Sequence, residues 1–320
     1  MAAPLLRRSK VIRFRAGLLR IGPRRPWHSR AMLAYRHAFH AGNHADVLKH
    51  TVLALVLRHM NLKDKGWRYV DTHAGAGGYS LQGDYAKKRG EFEQGIARLM
   101  GAADLPPPLA ELSALVKQFN GGYDLLVQYP GSPAIAQALM REQDQLRLFE
   151  MHPTDHKILA SYLADVPGVE VKMADGFASL KSQLPPPTRR GVVLIDPSYE
   201  IKTDYARALA AVREALERFP EAVVLLWLPQ LQLVEAAQLP QRLKATADTD
   251  AKKGWLHARL TVAQPTIEDG RSFGMLGSSM FIANPPHTLH DELQPVLPWL
   301  VQHLGQFDGA RSALERSAKA

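Results

Sequence analysis

The sequence predicts an α/β protein built on an open, mostly parallel sheet, with an antiparallel hairpin near its C-terminus. Short apolar runs without alternation recur along the chain, as expected of parallel strands covered on both faces. Helical stretches separate them. Four of these runs also end at or next to an acid: Val70 before Asp71, Phe149 before Glu150, Met173 before Ala174-Asp175, and Ile195 before Asp196. Ligands of such sheets bind beyond the carboxyl ends of the strands, so a row of acids there suits a ligand with several hydroxyl and amino donors.

The first 31 residues hold nine of the chain's 40 Lys and Arg and no acid. The rest balances 31 basic against 31 acidic residues, so the net charge of +9 identifies no partner for the body. This leader, residues 1–31, reads as disordered or as translated from a start placed too early, with Met32 opening the body; a transit peptide and an RNA-binding arm are the other readings. The absence of cysteine excludes disulfides, thiolate nucleophiles and Cys-ligated zinc. No apolar run reaches the roughly 18 residues that cross a bilayer. A soluble, cytoplasmic protein is expected.

Residues 35–50 contain four histidines, His37, His40, His44 and His50, beside Tyr35, Arg36 and Lys49. Their spacing is not that of a zinc site, and Gly42-Asn43 interrupts the helical face through His40 and His44, so the block points to substrate rather than metal. Asn43 is placed to cap a helix whose apolar stripe is Val47, Leu48, Val52, Leu55 and Val56. A strand through Val70 then delivers Asp71 to the glycine-rich turn Gly75-Ala76-Gly77-Gly78. This is not the dinucleotide fingerprint, because Ser80 falls where its third glycine belongs. Residues 79–129 break the rhythm with two helical stretches, Glu91–Met100 and Leu109–Phe119, and no strand, as a small helical insertion would.

Alternation resumes after Pro130, so residues 32–78 and 130–307 form the main domain. Its strands are expected at Leu146–Phe149, Val169–Met173, Val192–Ile195 and Val223–Leu228, followed by a hairpin of residues 253–264 and 278–284. A helix over His290–Leu304 and a polar tail, residues 308–320, complete the chain. Asp196-Pro197-Ser198-Tyr199 ends the most apolar strand, and Pro197 must stop it because proline cannot donate to a ladder. Asn284-Pro285-Pro286 imitates the same motif, but the hairpin makes its strand antiparallel and aims its end away from the ligand edge.

With these residues the body, from Met32 to about residue 304, resembles the RlmJ family of 23S ribosomal RNA adenine-N6 methyltransferases. The carriers are the block from Tyr35 to His50, Asp71-Thr72-His73-Ala74-Gly75-Ala76-Gly77, Tyr129-Pro130-Gly131-Ser132-Pro133, Arg141-Glu142-Gln143-Asp144, Ala174-Asp175-Gly176 and Leu194-Ile195-Asp196-Pro197. The resemblance implies a Rossmann-like class I methyltransferase with a mostly parallel seven-stranded sheet, acting as a monomer without metal or membrane. It implies that His50, His73, Ser132, Glu150, Asp175, Gly176 and Asp196 hold S-adenosylmethionine, with Glu150 at the ribose hydroxyls and Asp175 at the adenine amino group. It places Tyr35, His37 and Lys49 toward the target base of 23S ribosomal RNA. One departure stands out: the family reads Asp-Pro-Pro-Tyr where this chain has Ser198.

An exocyclic amine is a poor nucleophile because its lone pair is delocalised into the ring. The Asp196 carboxylate and the Pro197 carbonyl would each accept one N–H and turn the lone pair toward the methyl donor, while Tyr199 would stack on the flipped base. Lys49 would contact phosphate or the base edge, and Lys87–Arg89 and Lys252-Lys253 the RNA backbone. The same clamp could serve a DNA adenine or a protein glutamine, and a non-catalytic RNA-binding factor or a nicotinamide-dependent enzyme could share the fold.

Overall fold

A computed structural model describes residues 37–82, 90–123, 125–268 and 271–320. The leader, Tyr35 and Lys87–Arg89 lie outside them. The strands are β1 (Arg68–Asp71), β2 (Gly78–Ser80), β3 (Gln128–Pro130), β4 (Gln145–Phe149), β5 (Val169–Lys172), β6 (Gly191–Ile195), β7 (Val223–Gln230), β8 (Trp255–Thr261), β9 (Thr266–Glu268), β10 (Arg271–Phe273), β11 (Gly277–Ala283) and β12 (Arg311–Arg316). Eight of them form one sheet in the order β12-β8-β11-β7-β6-β1-β4-β5. The five from β7 to β5 are parallel, and β11, β8 and β12 continue antiparallel. The sheet is therefore mostly parallel with the expected hairpin, plus an eighth strand.

Side chains alternate across each strand, which divides the core in two. Tyr69, Leu146, Leu148, Val192 and Leu194 pack on one face with the helices His44–Met60, Ser132–Leu139 and Val296–Leu304. Val70, Phe149, Val193 and Ile195 pack on the other with Thr203–Arg218 and Val234–Asp250. Five central residues, Gly191 to Ile195, are all buried, as their unbroken apolar run requires.

The structure revises three expectations about elements. The tail is not frayed, because Arg311–Arg316 pairs with β8 as the edge strand. The insertion is not wholly helical, because β2 and β3 pair antiparallel and tie its two ends together. The helix Val234–Asp250, which carries Pro240 in its interior, is absent from the sequence reading. The antiparallel assignment that disqualifies Asn284 is correct, since β11 runs against both neighbours. Asn284 serves structure instead: its Nδ2 donates to the carbonyls of Pro220 and Ala222, and its Oδ1 accepts from the Lys253 amide. Among the described residues no helix is long and apolar enough to cross a membrane.

Candidate active site

The carboxyl ends of β1, β4, β6 and β7 open into one cavity of about 360 Å³. His37, Lys49, His50, His73, Ser132, Glu150, Asp175, Gly176, Asp196 and Pro197 all line it, so ten residues singled out across 160 positions of sequence share one space.

The helix His44–Met60 supplies the most connected corner. Asn43 caps it, its Oδ1 accepting from the amides of Ala45 and Asp46. Within its first turn, Asp46 is 1% exposed and accepts from the Gly42 amide at 2.9 Å. Its carboxylate also lies 2.8 Å from His37 Nε2 and 2.9 Å from Lys49 Nζ. Lys49 Nζ is in turn 2.6 Å from Asp196 Oδ2. Lys49 is thus neither an exposed helix lysine nor a free phosphate contact; it is an ammonium buried between two carboxylates. Burial alone would push it down, but Asp196 and Asp46 outweigh that and hold it above its ordinary value, so it stays charged. Burial likewise opposes the charge of Asp46, yet His37 and Lys49 keep its carboxyl well below the usual carboxylate range.

The same helix carries His50, whose Nδ1 is 2.8 Å from the Tyr129 hydroxyl. Burial pushes this imidazole down to about 3, so it is neutral, and its Nε2 has no partner among the described residues. His40 Nδ1 meets Glu91, an acid of the insertion that also accepts from Asn43 Nδ2.

Across the cavity the glycine-rich turn runs against the acids. Glu150 receives the Gly75 amide at 2.7 Å on Oε2 and the His152 amide at 2.6 Å on Oε1, and burial raises its pKa. Asp175 caps the short helix Gly176–Ser179 through the amides of Phe177 and Ala178, while Arg207 holds its other oxygen. Gly176 is sterically required, because a Cβ there would lie 2.0 Å from the Thr72 carbonyl oxygen. His73 Nδ1 meets Thr72 Oγ1 at 2.8 Å.

Two expectations about the site are corrected. Asp71, first in the row of acids, does not reach the cavity. It is fully buried, and its carboxylate accepts from the Tyr69 and Ser132 hydroxyls and the His73 amide, with burial raising it to about 6. Its work is to hold Ser132 and the turn in place. Tyr199 does not stack on a base in this conformation. Its backbone is left-handed at φ 53°, which turns the ring into the second core against Tyr205 and Trp227, 5% exposed. Its hydroxyl donates to the Trp227 carbonyl at 2.8 Å. Ser198 before it is exposed.

Sequence reasoning passed over Asp46, Arg207 and Trp227. Asp46 lay within a block singled out for its histidines, and its position three residues before Lys49 was the available signal. Trp227 lines the cavity from β7 with its indole half-buried and Nε1 without a partner among the described residues. Nothing short of the strand order places it beside Asp196.

The geometry is that of a ligand site at the carboxyl edge of a parallel sheet, and comparison with known proteins gives it a family. A family model described as ribosomal RNA large subunit methyltransferase D, RlmJ, matches residues 64–315. The chain belongs to this RlmJ family. It is 43% identical over 269 residues to the ribosomal RNA large subunit methyltransferase J of Escherichia coli, covering 84% of this chain and 93% of that protein. The namesake from Haemophilus influenzae is 41% identical over 273 residues, 85% of this chain and 94% of the relative. The crystal structure of protein LPL1258 from Legionella pneumophila is similar to this chain, with a TM-score of 0.77 at 32% identity over 88% of this chain and 99% of that one.

Proposed function

We propose that this chain is a cytoplasmic enzyme that transfers the methyl group of S-adenosylmethionine to the exocyclic N6 amine of an adenine in 23S ribosomal RNA. The observation that carries this reading is the fixing of Asp196 by Lys49 at the rim of a cavity that also gathers His50, His73, Ser132, Glu150, Asp175 and Gly176.

The residues present fit the cofactor. The unpartnered Nε2 of His50, the close approach that only glycine allows at Gly176, and the carboxylates of Glu150 and Asp175 offer what a nucleoside with an amino acid tail requires. In this reading Glu150 takes the ribose hydroxyls, Asp175 the adenine amino group, and His50, His73 and Ser132 the remainder. When bound, S-adenosylmethionine supplies a methyl group activated by the sulfonium charge.

The acceptor side follows from the ion pair. Lys49 occupies Asp196 Oδ2, which orients the carboxylate and leaves Oδ1 to accept one N–H of the target amine. The Pro197 carbonyl accepts the other, so both hydrogens are held to one side and the nitrogen lone pair points to the other. With Tyr199 turned inward, the indole of Trp227, on the strand beside Asp196, is an aromatic surface available to the flipped base. His37 braces Asp46 and lines the cavity, which supports a role for it at the base edge. Tyr35 joins this group in the proposal.

Labelled methyl transfer to RNA from a strain lacking the gene, followed by mapping of the product nucleotide, tests the reading. N6-methyladenosine at one position of 23S RNA is expected. Asp196→Ala should abolish transfer while the protein still folds, because Asp46 continues to hold Lys49. Transfer to DNA or protein alone, or an active Ala variant, would refute it.

A further inference from the structure

A second cavity, of about 290 Å³, lies farther along the same edge of the sheet. The helix Val234–Asp250 walls it with Ala236, Ala237 and Pro240, and strands β7, β8, β11 and β12 supply the rest. The strand register sets its position. Gly277 stands opposite both Gln230 and Thr261, and Arg311 opposite Thr261, so these strand ends form one row. Because β7 is parallel to β6, that row continues the edge bearing Asp196. Pro229 and Leu231 line both cavities.

The lining does not look like leftover space. His257 is 1% exposed, and neither of its ring nitrogens has a partner among the described residues. Neighbouring Gln230 shows the contrast: its Nε2 donates to the carbonyls of Leu260 and Ser278, and its Oε1 accepts from Thr261 Oγ1. A buried imidazole with an idle donor and an idle acceptor costs stability, which a packing residue would not impose. Burial pushes His257 down to about 3, assisted by Arg259 and Lys244 and opposed by Glu315, so it is neutral and keeps one donor and one acceptor. Arg259 and Arg311 also line the cavity. Glu315 pairs with Arg259 and with Lys244, and Arg311 has no acid beside it among the described residues, which leaves this corner positive.

We propose that this cavity binds a nucleotide flanking the target adenine in the same RNA, its base against His257 and its phosphate at Arg259 and Arg311. The site rests on the reading of the chain as an RNA methyltransferase. Base edges set donors next to acceptors, which a neutral imidazole can match, and unstacked single-stranded nucleotides are what such pockets recognise. The shared wall of Pro229 and Leu231 puts a neighbour of the flipped base within reach.

Fluorescence anisotropy on the full chain, with a labelled 23S fragment containing the mapped adenine, tests this. The double variant Arg259→Ala/Arg311→Ala is expected to raise the Kd about tenfold and to reduce the salt slope by about one to two. His257→Phe, which keeps the ring and removes its polar edge, should raise the Kd several-fold at an unchanged salt slope, with an equal or higher melting temperature and unchanged affinity for S-adenosylmethionine. Both arginines are exposed, so the double variant decides the matter alone should His257→Phe not fold. Unchanged Kd in a protein that still methylates the RNA would overturn the second site and leave the catalytic reading standing. A wild-type protein that neither binds nor methylates the RNA would overturn both.

Discussion

Replacing Lys49 by methionine isolates the energetics of the carboxylate pair around it. Methionine keeps most of the apolar stem and removes the ammonium that lies 2.6 Å from Asp196 and 2.9 Å from Asp46. The three side chains are 5%, 15% and 1% exposed, so water cannot replace the lost cation at Asp46. Removing one partner of a buried ion pair costs about 3 to 5 kcal/mol. The lower end applies, about 3 kcal/mol, because His37 and the Gly42 amide still hold Asp46. The loss depends on pH in a definite sense. In the wild type the pKa of Asp46 is held below its unfolded value, so its stabilisation is present above the ordinary carboxylate range, near 4, and is lost as pH falls through the folded value. Without Lys49 the folded pKa rises, and that contribution shrinks. The gap between wild type and variant should therefore be widest near neutrality and should close as the carboxyl protonates. Urea unfolding followed by tryptophan fluorescence, at pH 7.5 and in steps down to pH 4 and below, measures it. Adding Asp46→Asn to Lys49→Met should recover at least half of the loss by removing the stranded charge. Equal midpoints for wild type and Lys49→Met at pH 7.5, or no recovery in the double variant, would show that the lysine is not what stabilises these carboxylates.

Other expectations follow from single contacts. Gly176→Ala should cost about 1 to 3 kcal/mol and weaken S-adenosylmethionine binding in calorimetry, since its Cβ would meet the Thr72 carbonyl oxygen at 2.0 Å. Ser198→Pro, at an exposed position, should leave kcat/KM equal or higher, and a marked fall would mean that the loop needs the serine's conformational freedom. Acid should unfold the protein readily. His44, His50 and His257 are buried and pushed to about 4, 3 and 3, below the ordinary 6.5, so the unfolded chain binds protons that the folded one does not. Stability then falls as pH drops below 6.5, by up to roughly 2 kcal/mol per histidine at pH 5. His257→Phe should remove one share of that slope, measurable as a flatter dependence of the urea midpoint on pH.

The sheet was legible because parallel strands advertise themselves: an apolar run stopped by Glu150 or Asp196 has few other meanings in an alternating α/β chain. The topology was legible enough to set aside Asn284. The edge strand Arg311–Arg316 was not, because a solvent-facing edge needs no apolar pattern and its residues are mostly charged or half-exposed. Nor was Val234–Asp250, where Pro240 argues locally against the helix that packing imposes. The site residues came from motifs, which fix where a side chain starts and not where it points. Asp71 and Tyr199 show the difference. Each stands at the end of a strand leading to the cavity, and each turns inward, one to satisfy Tyr69 and Ser132, the other through a single left-handed φ.

The strand Arg311–Arg316 closes the sheet in a way that matters for the protein's behaviour in a crowded solution. Without it, β8 would present an unpaired row of amides and carbonyls seven residues long, a template for another chain to extend. With it, the outermost strand offers arginine and glutamate side chains, and the opposite margin, β5, carries Glu170 and Lys172. Each margin thus meets its neighbours with charges of both signs, which discourages strand-to-strand growth. A segment that contributes little to the core therefore guards the protein against aggregation.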